Sequence, residues 1–116
     1  MNQLNKPIRV RLLHDAEEYF AGLDKKTKEK FLRSFEKTEM GTKGKWFEPL
    51  SGSNGIWEFR IRDQYHFYRM LAFWDKTESS NTLILGTHGF NKKTNKTPKQ
   101  EIQKAEKLKS IYFKSK

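Results

Sequence analysis

Between residues 56 and 90 three apolar runs follow one another with only short polar breaks: IWEFRIRD (56–63), QYHFYRMLAFW (64–74) and TLILGTHGF (82–90). No other feature constrains the fold so strongly. In the first run Trp57, Phe59 and Ile61 alternate with Glu58, Arg60 and Arg62, the two-residue period of a strand with one apolar and one charged side. The second run is aromatic on both faces, as a central strand would be. The third is a further buried strand, reached through the polar turn DKTESSN (75–81). Strands joined by such short breaks pair antiparallel.

The flanks supply helices. PIRVRLL (7–13) alternates Ile8, Val10 and Leu12 against Arg9 and Arg11, the pattern of a half-buried strand. Asp15 with Glu18 predicts a capping box, followed by the apolar stripe Ala16, Tyr19, Phe20 and Leu23. Asp24 is placed to cap a second helix that turns Phe31, Leu32 and Phe35 inward and stops at Gly41. Lys25, Lys26, Lys28 and Lys30 read as its solvated face. GKWFEPLSGSNG (44–55) has the composition of a loop around one short extended piece. Thr97 with Gln100 predicts another capping box with Pro98 at the first helical position, then a helix whose stripe is Ile102, Ala105, Leu108 and Tyr112. The expected architecture is α+β: an N-terminal strand, a two-helix hairpin, an antiparallel sheet of about three further strands and a C-terminal helix, with the helices against one side of the sheet.

At 116 residues the chain fits a single domain, 1–116. Without cysteine it has no disulfide framework and no thiolate metal site, and His14, His66 and His88 make no zinc spacing, so neither metal nor other cofactor is expected. No apolar run spans a bilayer and no signal peptide opens the chain, which points to the cytoplasm and away from membranes. The charge is +10 overall, and residues 91–116 hold nine lysines against two glutamates, +7 of that total. Such a one-signed field suits a polyanion or an acidic partner protein; the plainer reading is a lysine-rich soluble helix.

No phosphate loop, nucleophile elbow or carboxylate pair stands out. Arginine within strands does. Arg60 and Arg69 interrupt apolar stretches, and either they pair with nearby carboxylates or they project toward the basic loop of Lys92, Lys93 and Lys96, where such a cluster would hold a phosphodiester. For Arg69 the expectation is that it points out of the core, because an unpaired guanidinium there is expensive. His88 and His66 are candidates for proton transfer, with simple packing as the alternative. Trp46, beside Lys43 and Lys45, is the best base-stacking candidate of the three tryptophans; Trp57 and Trp74 belong to the core. Lys96 and Lys99 complete the candidate RNA-binding set.

In order, GIWEFR (55–60), YRMLAF (68–73), a hydrophobic strand and GFNKKTNKTPKQEIQKA (89–105) resemble the RelE/HigB-type toxins of toxin–antitoxin systems, in particular a phage-derived, HigB-like branch. The resemblance runs from about Lys45 to Lys109. It implies a small endoribonuclease that enters the ribosomal A site and cuts mRNA through in-line attack by the RNA's own 2′-hydroxyl, without metal. It also implies a helix-turn-helix, HigA-like antitoxin, through whose complex operator DNA is bound. Arg60 matches the arginine after the family's tryptophan–glutamate pair, Arg69 the strand arginine at the scissile phosphate, and Lys92 with Lys93 the basic pair after the last strand. Ile102 stands where some relatives carry a catalytic tyrosine, and Ile56 and Glu58 where some carry lysines, so no general base is named. Two rivals remain at this point: a gyrase-poisoning toxin of the same fold, and a basic RNA- or protein-binding module.

Overall fold

All three apolar runs form strands, but the sheet they build is larger than the expected one. The computed structural model describes residues 6–116. In chain order the elements are β1 (Ile8–Leu12), α1 (His14–Ala21), α2 (Lys25–Glu39), β2 (Phe47–Pro49), β3 (Trp57–Arg62), β4 (Phe67–Asp75), β5 (Thr82–Lys92) and α3 (Lys99–Lys114). The five strands lie in the order β1-β5-β4-β3-β2. The pairings among β2, β3, β4 and β5 are antiparallel, whereas β1 docks parallel on β5, so the sheet is mixed. β2 is the short extended piece within 44–55, held against β3 with Pro49 at its end, and it adds a fifth strand at the edge.

The helices do not share one side. α1 and α2 cover the face carrying Phe59, Ile61, Tyr68, Met70 and Ala72, with Phe31 and Phe35 reaching down from α2. α3 covers the opposite face, where Ala105 and the partly buried Tyr112 and Phe113 pack against Leu71, Phe73, Leu85 and Ile56. The reason is β4: apolar residues alternate onto both of its faces, and each face needs cover.

Capping follows the sequence at one helix and departs from it at two. Asp24 accepts a 2.7 Å hydrogen bond from the Thr27 N–H at the start of α2. At its end Gly41 adopts φ +83°, while the Gly41 and Thr42 N–H groups bond to the Thr38 and Lys37 carbonyls, a Schellman stop. In α1 the N-cap position falls on Leu13, with no side-chain cap, and Asp15 sits inside the first turn. In α3 the N-cap position falls on Pro98, one residue later than expected, which frees Thr97 for another role.

A bulge in β5 decides which of its side chains reach the α3 face. Leu71 of β4 opposes His88 and Ala72 opposes Gly86, so Thr87 is the extra residue, and its hydroxyl donates to the Leu71 carbonyl at 3.2 Å. One inserted residue exchanges the faces of everything beyond it. Leu83 and Leu85 point toward α3, and after the bulge so do His88, Phe90 and Lys92, an odd number of positions away. Lys92 thereby reaches the face that carries Glu58 and Arg69. Gly89 faces the other way beneath Tyr19, whose ring lies 2.0 Å from where a Cβ would stand, so a side chain there would push α1 off the sheet.

Candidate functional site

Five ionisable side chains on β2 to β5 meet on the face that α3 leaves open. Glu48 opposes Glu58 across the β2–β3 ladder, and Arg60 opposes Arg69 across β3–β4. Like charges in opposed positions repel, and here each pair neutralises the other. Arg60 donates from Nη1 to Glu48 Oε1 at 2.5 Å and from Nε to Glu58 Oε1 at 2.9 Å. Arg69 Nε lies 3.5 Å from the same Glu58 oxygen, an ion pair without a well-aligned hydrogen bond. Lys92 Nζ stands 4.0 Å from Glu58 Oε2. Glu58 is 1% exposed and Arg69 3%, so this is a buried carboxylate shared by three cations.

The loop after β5 closes over the cluster. Thr97 Oγ1 donates to Glu58 Oε2 and accepts from Lys92 Nζ at 2.8 Å, and Lys92 also donates to the Asn95 carbonyl at 2.9 Å. Arg69 spends its remaining donors on the Tyr68 carbonyl, weakly on the Ile61 carbonyl, and on Asn95 Oδ1 at 2.8 Å. Burial drives the lysine's pKa down to about 8 against the pull of Glu58, with Arg69 and Arg60 pushing the same way as burial. Burial also lowers the Arg69 value, again opposed by Glu58.

Arg69 was expected to point out of the core because an unpaired guanidinium would be costly there. It is buried instead, and the cost is met by Glu58 and Asn95. It does reach the loop beyond β5, but through Asn95. The paired lysines separate: Lys92 turns inward, while Lys93 is exposed and lines a hollow at the β3–β4 hairpin with Tyr65 and His66. Lys96 and Lys99 are exposed, away from the cluster's hydrogen bonds. A groove of about 470 Å³ runs along the open edge of β3, lined by Lys45, Trp46, Arg60, Arg62, Phe67, Arg69 and Asn95. Lys43 and Lys45 border a separate, more apolar cavity beside Trp57 and Trp74.

Trp46 is a wall of this groove rather than a free stacking platform. Its Nε1 donates to Thr38 Oγ1 at 3.1 Å, the Lys37 ammonium lies 3.8 Å from its ring centroid, and its six-membered ring lies against Gly44. Glu58, Asn95, Thr97 and Arg62 are site residues that sequence reading left out. The available signal was Glu58 itself, a carboxylate on the charged side of a strand, two residues before Arg60.

A family model described as phage-derived protein Gp49-like (DUF891) matches residues 18–110. The chain belongs to the Gp49-like family. This is a toxin-like family of the general RelE/HigB type, so the resemblance read in residues 45–109 holds at that level. The match spans β2 through β5 and every member of the Glu58 cluster. No curated protein matches the chain. Among the described residues no helix is long and apolar enough to cross a membrane.

His88 of this Gp49-like chain lies under α3, away from the groove. Its Nε2 is 2.9 Å from Glu101 Oε1 and its Nδ1 3.1 Å from Thr87 Oγ1. A carboxylate only accepts, so the neutral ring carries its proton on Nε2, and the single Thr87 hydroxyl proton is shared between Nδ1 and the Leu71 carbonyl. Burial holds its pKa below 6.5 despite Glu101, with Lys104 lowering it and Asp15 raising it. Below about pH 6.5 the unfolded chain therefore binds the proton first, and stability should fall as the pH drops from 7 to 5. Urea melts of the wild type and His88→Gln across that range check this. The variant should lose part of the pH slope, and equal slopes would show that His88 does not carry it.

Proposed function

We propose that the protein is the toxin of a type II toxin–antitoxin pair and a ribosome-dependent endoribonuclease that cuts mRNA in the A site. One observation carries the reading: Arg60, Arg69 and Lys92 converge on a single buried carboxylate at the wall of an open groove. A phosphodiester entering that groove meets Arg60 first, since this arginine is the most exposed of the three. Asn95 Oδ1 occupies a position on Arg69 that a phosphate oxygen takes when the exposed loop yields. Two guanidinium groups then stabilise the negative charge that builds on the non-bridging phosphate oxygens as the 2′-oxygen attacks in line. The 2′-hydroxyl gives up its proton to solvent water, and the P–O bond to the next nucleotide breaks. The departing 5′-oxygen takes a proton from water, leaving a cyclic 2′,3′-phosphate and a free 5′-hydroxyl.

Lys92 acts from behind. Its ammonium holds Asn95 and Thr97 and adds positive potential, although burial pushes its pKa down to about 8. The chemistry needs no metal, because side-chain cations serve the phosphate. A helix-turn-helix antitoxin masks the groove, and operator DNA is reached only through that complex.

Expression of the protein alone should arrest growth, and primer extension should map new, codon-phased mRNA 5′ ends that vanish when translation is blocked. Co-expression with the adjacent gene should restore growth and yield a complex. DNA breakage with intact mRNA would instead assign the fold to gyrase poisoning.

A further inference from the structure

The lysines of α2, read from sequence as a solvated face, are not all alike. Lys30, Arg33 and Lys37 fall at i, i+3 and i+7, one face of the helix about 10 Å long. With Arg60, Arg62 and Trp46 they line a hollow of about 310 Å³ that contains no carboxylate. Among the described residues, Arg60 alone of these five cations has a carboxylate partner. Lys30 instead donates to the Arg62 carbonyl at 3.2 Å, and Lys37 lies over Trp46. Lys30, Arg33, Lys37 and Arg62, gathered without carboxylate partners among the described residues, repel one another, a cost relieved by a bound polyanion. Trp46, Arg60, Ile61 and Arg62 line this hollow and also the groove of Arg69, so the two adjoin along the edge of β3.

We propose that the α2 face is a second arm of the site, which grips the phosphate backbone of the single-stranded RNA flanking the cut. The inference rests on the RNA reading above and extends it to residues outside the Glu58 cluster. RNA is favoured over an acidic protein segment because the hollow adjoins the groove in which the phosphodiester is proposed to bind. Binding through this arm supplies register and affinity without base readout.

The test is fluorescence anisotropy with a twelve-nucleotide, fully 2′-O-methylated RNA, which has no nucleophile and stays intact. Lys30→Ala with Arg33→Ala should flatten the plot of log affinity against log salt by about 1.4, since each phosphate contact on a single strand contributes about 0.7. That corresponds to about 25-fold weaker binding at about 0.1 M salt. A control double variant, Lys107→Ala with Lys114→Ala, removes the same charge from exposed positions of α3 and should change the slope little. Unchanged binding by the α2 variant, or equal loss in both variants, overturns the proposal. So does a wild type that ignores this RNA yet binds polyglutamate through Lys30 and Arg33, which would assign the arm to an acidic protein. Because the probe cannot be cut, a protein that grips it through α2 but leaves translated mRNA intact would refute the nuclease reading and leave the arm standing.

Discussion

Replacing Glu58 with glutamine should destabilise the protein by about 3–5 kcal/mol, the cost of removing one partner from a buried charge pair. The amide keeps the shape and can still meet Thr97, so the loss isolates the charge. Without it, Arg60 and Arg69 oppose each other across the ladder with Lys92 nearby, all three partly or wholly shielded from water. Thermal melts should show Tm lower by roughly 10–25 °C. Arg69→Met added to Glu58→Gln should recover part of that loss, because it removes a cation that has lost its counter-charge. A Glu58→Gln variant within about 0.5 kcal/mol of wild type would place it among neutral surface changes and break the account of the cluster.

Arg69→Lys should keep the charge and lose most of the toxicity. The guanidinium lies beside Glu58 and bonds Asn95 Oδ1 and a main-chain carbonyl from separate nitrogens, so its plane is fixed toward the groove. An ammonium at that position is drawn to Glu58 and cannot also present a two-pronged donor to phosphate. Losing such a contact costs about 3–4 kcal/mol by analogy with oxyanion donors, or a hundred- to a thousandfold in rate. Growth curves under induction, paired with melting curves of the purified variant, separate this from misfolding: arrest should disappear at a Tm far above that of Glu58→Gln.

Alternation and turn chemistry made much of the fold legible. The period of two at Trp57, Phe59 and Ile61, the Asp24 cap and the Gly41 stop are local signals, and each holds in the structure. What was not legible is long-range. The parallel seat of β1 on β5 depends on a partner more than seventy residues away. The second helical layer depends on which face of β4 is left bare. The bulge at Thr87 has no sequence marker, yet it decides that Lys92 joins Arg69 while Lys93 does not. Thr97 shows the same limit: its spacing to Gln100 fits a cap, but the structure gives its hydroxyl to Glu58.

The central claim is that guanidinium groups held by Glu58 accelerate the breaking of a phosphodiester in the groove of Trp46 and Asn95. The direct measurement is the single-turnover rate of mRNA cutting on purified ribosomes with a codon in the A site, for wild type and folded Arg69→Lys at saturating protein. The account predicts cutting by the wild type, ends carrying a cyclic 2′,3′-phosphate, and a rate at least about a hundredfold lower for the variant. Equal rates in the two proteins would contradict it.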